Sequence, residues 1–266
     1  MDGQVLLFGG PYSNLQATQA VLAEAARLGI PPRRIVCTGD VAAYCADPAA
    51  TLDLVMASGI VVVRGNCEDS LADGAGDCGC GFKAGTACDV LSRGWFAHAD
   101  AAVTPAQRRW MGALPGRIVL QVGTRRLAVV HGGATEVSRF LFASTSDAVL
   151  RDEIAATECD GVVAGHCGMP FTRIVDGALW HNPGAIGMPA DDGTPRVWFS
   201  VLEPGRVRHR ALEYDWRGAA AAMRAAGLAE GYAAALGTGL WPSDDVLPPA
   251  ERARRGVPLA EAEFPW

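Results

Sequence analysis

Four times along the chain, a short apolar run ends on glycine beside a residue able to bind a metal ion. Residues 35–38 lead into Gly39-Asp40, and 61–63 lead toward Gly65-Asn66-Cys67-Glu68. Residues 127–130 precede His131-Gly132-Gly133, and 162–164 precede Gly165-His166-Cys167-Gly168. Such short runs read as buried strands, and a glycine beside each polar group lets the backbone approach whatever is bound there. Helical spacing separates the early strands. Apolar residues recur from Leu15 through Ala17, Val21, Ala25 and Leu28 until Gly29 and Pro31, and Pro48–Ser58 follows as a second helix. With strands at 5–9, 34–38 and 60–63, this order predicts a parallel sheet with crossover helices. In such a sheet the carboxyl ends of the strands share one edge, where ligands bind.

The middle of the chain changes character. Residues 73–89 are rich in glycine and cysteine, show no periodicity and read as an inserted loop. Thr104 and Pro105 open a helix reaching Leu114, since threonine caps free amides and proline fits the first turn. Strands at 117–122 and 126–130 flank a Gly123-Thr124 turn, a helix covers 146–156, and 161–164 is another buried strand. From 173 to 212, short strands alternate with turns at Asp176-Gly177, Asp192-Gly193 and Pro204-Gly205. Two sheets packed face to face with helices outside are therefore expected. Beyond Tyr214 the chain is Ala-rich and helical to about Leu236. A tail punctuated by Pro242, Pro248, Pro249, Pro258 and Pro265 is then expected to wrap the domain or reach a partner. The division is a domain over 1–212, carrying the 73–89 insertion, and a helical, proline-punctuated extension over 213–266.

With 266 residues, half of them hydrophobic and a fifth charged, the chain suits a globular enzyme with a sizeable core. A net charge of −6 argues against nucleic acid as the main partner. No apolar run approaches the roughly 20 residues of a membrane span. The opening Met-Asp-Gly-Gln lacks a signal peptide's basic start, so the expected location is cytoplasmic. There the eight cysteines are expected as thiols or ligands rather than disulfides. Cys78, Cys80 and Cys88 are candidates for a structural metal without an evident fourth ligand. The alternatives are a loop of buried small residues, or thiols reaching the active site. A homo-oligomer stays open.

Asp, Asn and two His form a plausible shell for a divalent ion such as Mn, Fe or Zn. Gly39-Asp40 with Tyr44, Gly65-Asn66-Cys67-Glu68, Val130-His131-Gly132 and Gly165-His166 resemble, in order, the motifs of calcineurin-like metallophosphoesterases. The resemblance is nearest to the small single-domain phosphodiesterases of bacteria and archaea, and Asn182-Pro183-Gly184-Ala185 resembles a further segment of that branch. It covers roughly residues 4 to 212 and implies an α/β fold, a four-layer α/β/β/α sandwich of two mixed sheets. It also implies that one ion is held by Asp40, Asn66, His131 and His166.

The departures are as informative. Where the family has Asp-x-His-Gly-Asn, this chain has Gly10-Pro11-Tyr12-Ser13-Asn14, and its Gly-His-x-His motif reads Gly165-His166-Cys167-Gly168. Every ligand special to the second ion is missing, while the first shell is complete. The expectation is a metal-dependent hydrolase using a single ion to activate water against a small phosphoester or related anionic substrate. Cys67, Tyr12 and His181 are candidate catalytic groups, and Gly10, Ser13, Asn14, Cys167 and Asn182 are candidates for the substrate side. The loop amides and the Ser13 hydroxyl, ahead of a helix beginning near Leu15, are candidates to replace part of the lost charge, against a plain tight turn. Tyr12 reads either as filler of the vacated space or as a proton donor. The alternative functions are a catalytically silent metal or anion sensor, or a mononuclear redox enzyme.

Overall fold

The structure, a computed structural model, describes residues 3–266. The chain runs β1 (Val5–Phe8), α1 (Leu15–Arg27), β2 (Ile35–Cys37), α2 (Pro48–Ser58), β3 (Val61–Val62), α3 (Asn66–Asp73), α4 (Ala87–Ala102) and α5 (Pro105–Ala113). It continues with β4 (Ile118–Val122), β5 (Arg125–Val129), α6 (Asp147–Ala155), β6 (Gly161–Val163), β7 (Phe171–Val175), β8 (Ala178–Asn182), β9 (Val197–Glu203) and β10 (Arg206–Leu212). Last come α7 (Trp216–Ala225), α8 (Glu230–Thr238), α9 (Pro249–Arg252) and β11 (Ala262–Pro265).

Two mixed sheets result, ordered β11-β10-β9-β1-β2-β3 and β4-β5-β6-β8-β7. The first strand shows why they stack. Val5 and Leu7 enter the core between the sheets, while Leu6 and Phe8 face the helix side with Ala17, Val21 and Ala25 of α1. A strand covered on both faces reads as a continuous apolar run, the pattern seen in the sequence. The inter-sheet core is aliphatic, with Val36 and Val63 opposed by Leu127, Val129, Val163 and Leu179. The α/β/β/α sandwich expected from the sequence is the fold observed.

Strands β1, β2 and β3 are parallel, as are β5, β6 and β8. Their carboxyl ends meet at one edge. There the amide of Gly9 donates to Gly184 at 2.8 Å and that of Ile186 to Gly9 at 3.0 Å, stitching the end of β1 to the chain leaving β8.

Helices α3, α4 and α9 and strand β11 go beyond the elements expected from the sequence. Helix α3 begins inside the Gly-Asn-Cys-Glu motif, and the Glu68 side chain accepts from the amide of Gly65 at 2.8 Å. A glutamate three residues past a cap was the available signal. Thr86, with Asp89 three residues on, announced α4 in the same way. Strand β11 pairs with β10 through Phe264 opposite Val207, so the tail wraps its own domain and extends the first sheet. Residues 74–86 remain loop. Contrary to the thiol expectation, Cys78 and Cys80 are joined as a disulfide, which the left-handed Gly79 between them permits by turning the chain back. Six cysteines are free. Among the described residues, no helix is long and apolar enough to cross a membrane.

A buried polar chain also crosses between the sheets. His181 Nε2 meets Ser200 Oγ at 2.6 Å, and Thr172 Oγ1 lies 2.9 Å from His181 Nδ1 and 2.8 Å from His209 Nε2. Burial lowers both histidines, His209 to about 4, with the second ring adding to the effect at His181. The unfolded chain binds protons here more readily than the folded one. Stability from this chain is therefore full above about pH 6.5 and lost as pH falls toward 4, by about 3 kcal/mol for His209 alone. In urea titrations across that window, His209→Asn should shallow the pH slope by close to one proton. An unchanged slope would mean that His209 does not titrate on unfolding.

Candidate metal centre

Asp40, Asn66, His131 and His166 arrive from four strand ends and converge. His131 Nε2 lies 3.0 Å from Asn66 Oδ1, 3.1 Å from His166 Nδ1 and 3.3 Å from Asp40 Oδ2. The imidazole's other nitrogen, Nδ1, donates to the carbonyl oxygen of Thr38 at 2.6 Å. A carbonyl can only accept, so Nδ1 carries a proton, and the neutral ring presents its Nε2 lone pair to the cluster. The amide of Asn66 is oriented in the same way. Its Nδ2 donates to the carbonyl of Cys78 at 2.8 Å, with the sulfurs of Cys80 and Cys67 at 3.4 and 3.5 Å, which leaves Oδ1 for the cluster.

Lone pairs aimed at one point repel unless a cation lies among them. Burial opposes charging His131, but the Asp40 carboxylate outweighs it and raises the imidazole's proton affinity. At His166, burial and the neighbouring His131 push the pKa down to about 3, which leaves a neutral donor. Ligands about 2.1 Å from a tetrahedral ion stand about 3.4 Å apart, close to the spacing here. The donor set fits a divalent ion, and the donor atoms of Asp40, His131 and His166 all lie within 4.8 Å of one another.

The backbone is bent to make this possible. Asp40 and His166 take left-handed conformations, with φ 58° and 62°. Such conformations persist only where the surroundings hold them. For Asp40 the holder is Glu68, a residue that the sequence reading left without a role. Its buried carboxylate accepts from the amides of Asp40 at 2.8 Å, Val41 at 2.7 Å and Gly65 at 2.8 Å. Burial and the nearby Asp40 push its pKa up to about 7 against those amides. Gly39, at φ 100°, must be glycine for a second reason: a Cβ would stand 2.7 Å from the Val63 carbonyl and 2.9 Å from His131 Nδ1. At the other turn, Asn182 Nδ2 donates to the carbonyl of Gly165 at 2.8 Å and lies 3.2 Å from Cys167 Sγ, so Asn182 positions the His166 loop.

Tyr12 is brought to the cluster as a space-filler. A Cβ on Gly10 would fall 2.2 Å from its ring, and one on Gly168 would lie 3.7 Å from its hydroxyl. The ring thus spans the space between Gly10 and Gly168. Burial, and then Asp40, raise its phenol well above the ordinary value, so it stays protonated. Cys67 sits beside Asp40 with its amide on Asp40 Oδ1 at 3.2 Å, and burial keeps its thiol neutral.

Other candidates are placed elsewhere. The anion-cradle expectation fails because its donors are already used. The amide of Gly10 donates to Gly39, that of Tyr12 to Asp40 and that of Ser13 to Val41, at 3.1, 3.1 and 2.8 Å. Ser13 Oγ accepts from the amide of Ala43 at 3.0 Å, and Asn14 Oδ1 caps α1 through Ala17. His181, as described, turns into the inter-sheet chain, because strand alternation points it away from the cluster. The Cys78, Cys80 and Cys88 metal group does not assemble, since the first two are bonded to each other. The 78–80 loop instead packs on Asn66.

Residues 12–203 match the calcineurin-like phosphoesterase superfamily domain. The chain belongs to that superfamily. Comparison with curated proteins finds no match. Among solved structures, it is similar to a metallophosphoesterase from Sphaerobacter thermophilus, with a TM-score of 0.71 at 22% identity. That match covers 90% of this chain and 100% of the other. It is also similar to a hypothetical protein from Pyrococcus horikoshii OT3, with a TM-score of 0.75 at 16% identity, covering 90% and 99%. Both likenesses are of fold. Their coverage runs past residue 203, so part of the C-terminal extension shares in it.

Within this superfamily member, Glu68→Gln tests the clamp. The variant swaps an accepting oxygen for a donor facing backbone N–H groups. It should cost about 3 kcal/mol of stability and at least tenfold in metal affinity, read by urea titration and by metal titration. Unchanged values for both would show that Glu68 does not hold Asp40.

Proposed function

We propose that the protein is a phosphoester hydrolase that works with one divalent ion, held by Asp40, Asn66, His131 and His166. The observation that carries this reading is the Tyr12 ring, which fills the space over Gly10 and toward Gly168. A divalent ion held by these four donors would lower the pKa of water and polarise a phosphoryl oxygen, the chemistry shared by metal-dependent hydrolases. Mn, Fe and Zn each suit an oxygen and nitrogen donor set.

The chain's own residues supply placement. Asp40 brings the negative charge of the set, and Glu68 and the Thr38 carbonyl fix its direction and that of His131. In the reaction, water adds its oxygen to phosphorus, the ester P–O bond breaks, and a proton passes to the leaving oxygen. Tyr12 keeps solvent and a second ion from the vacated space, and its hydroxyl stays protonated there. Cys67 stays a buried neutral thiol, which fits packing better than nucleophilic attack. A net charge of −6 fits a small-molecule substrate better than nucleic acid.

The test is turnover of a simple phosphodiester by protein loaded in turn with Mn, Fe and Zn. Hydrolysis should fall at least about 100-fold in Asp40→Asn. The combined variant Gly10→Asp, Tyr12→His, Gly168→His should take up a second ion. No turnover with any of the three ions would overturn the hydrolase reading in favour of a silent sensor.

A further inference from the structure

Beside the metal centre lies a cavity of about 70 Å³ whose wall is aromatic: Tyr12, Tyr44, Phe82, Phe140, Tyr232 and Trp241. His166 forms the side shared with the metal centre, its ring centroid 4.2 Å from that of Phe140. No Asp, Glu, Lys or Arg lines it. A cavity meant for a phosphate would be expected to bring cations or free amides. This one brings rings. Tyr44 packs between Tyr12, Trp95 and Tyr232, at centroid distances of 4.8, 4.7 and 5.2 Å, so the wall is mutually braced.

Two segments without an assigned role build it. Phe82 comes from the Gly- and Cys-rich loop, while Tyr232 and Trp241 come from the C-terminal extension. Trp241 is fixed at both ends: its indole N–H donates to Pro189 at 2.6 Å, and its backbone amide to Asp191 Oδ1 at 2.7 Å. The pocket is thus formed in advance, as small-molecule sites commonly are.

A second observation concerns the leaving group. All five histidines are accounted for. His131 and His166 face the cluster, and His181 and His209 belong to the inter-sheet chain. His98 Nε2 lies 2.9 Å from the carbonyl of Ala46. No histidine remains to protonate a departing alkoxide. A leaving oxygen that carries its own negative charge needs such help least. A phenol, with a pKa of about 10, satisfies that far better than an alcohol near the value of about 16 for water.

Resting on the hydrolase reading above, we propose that the aromatic cavity is the specificity pocket of the metal centre and receives an uncharged aromatic ring borne on the ester oxygen. The substrates are then aryl phosphoesters. The charged phosphoryl group stays on the ion's side of His166. Hydrolysis transfers the water's oxygen to phosphorus and releases the ring as a phenol.

The probe is phenol itself, titrated into the full-length protein and followed by ligand-observed NMR, with cyclohexanol for comparison. Phenol should bind, and cyclohexanol much more weakly. Val246→Phe, which narrows the cavity from the extension side, should weaken phenol at least tenfold and raise KM for phenyl methyl phosphate by a similar factor. Competitive inhibition by dimethyl phosphate, which carries no ring, should show no such change. Trp241→Ala serves as the second variant, opening the same wall and lowering phenol affinity without filling space. Turnover of phenyl methyl phosphate with no phenol binding, and with KM indifferent to both variants, overturns the cavity proposal and leaves the hydrolase reading standing. Phenol binding with no hydrolysis of any phosphoester overturns the assignment to an ester substrate, because the hydrolase reading has then failed.

Discussion

The two sheets meet functionally at the ring of His131. It leaves the second sheet after β5, yet its Nδ1 proton is given to the carbonyl of Thr38, which follows β2 in the first. One 2.6 Å hydrogen bond therefore fixes the tautomer, points Nε2 at Asp40, Asn66 and His166, and registers the sheets against each other. The glycines nearby follow from it. Gly39 and Gly165 lie where a Cβ would strike His131 or Thr38, so the close approach of the two strand ends requires their absence of side chain.

The site carries one region of concentrated negative charge and, beside it, a neutral aromatic ring. Asp40 is the anion among the donors, and Glu68 beneath it neutralises three backbone donors rather than facing the cluster. Next door, Tyr12 fills the space with an aromatic ring in place of ligands. A neutral, braced ring in that position removes the need to compensate a buried charge there. The ring presents an apolar wall there, and the cavity beyond continues that wall.

Much of this was legible in the residues. Asp40, Asn66, His131 and His166 could be read because each follows an apolar run, and runs of that kind end at one sheet edge. The departures at Gly10, Tyr12 and Gly168 were legible as changes of residue type, and the structure brings the three together around the Tyr12 ring. Other features were not, each on physical grounds. His181 sits beside a recognisable Asn-Pro-Gly segment, but the period-two alternation of β8 sends its side chain between the sheets. Ser13 looked free to hold an anion because sequence does not reveal that its hydroxyl meets the amide of Ala43. Glu68 was visible inside its motif, but its three amide partners come from two different strand ends. The aromatic cavity could not be seen at all. Its rings come from segments as far apart as Tyr12 and Trp241, and only tertiary packing brings them together.

The central claim is that the folded chain holds a single catalytic-type ion. Metal content per chain, by mass spectrometry on protein purified without added metal or chelator, measures it directly. The account predicts close to one tightly held ion, which is lost on His166→Ala while the fold persists. Two ions per chain would contradict it, because the space filled by Tyr12 would then have to accommodate a second centre.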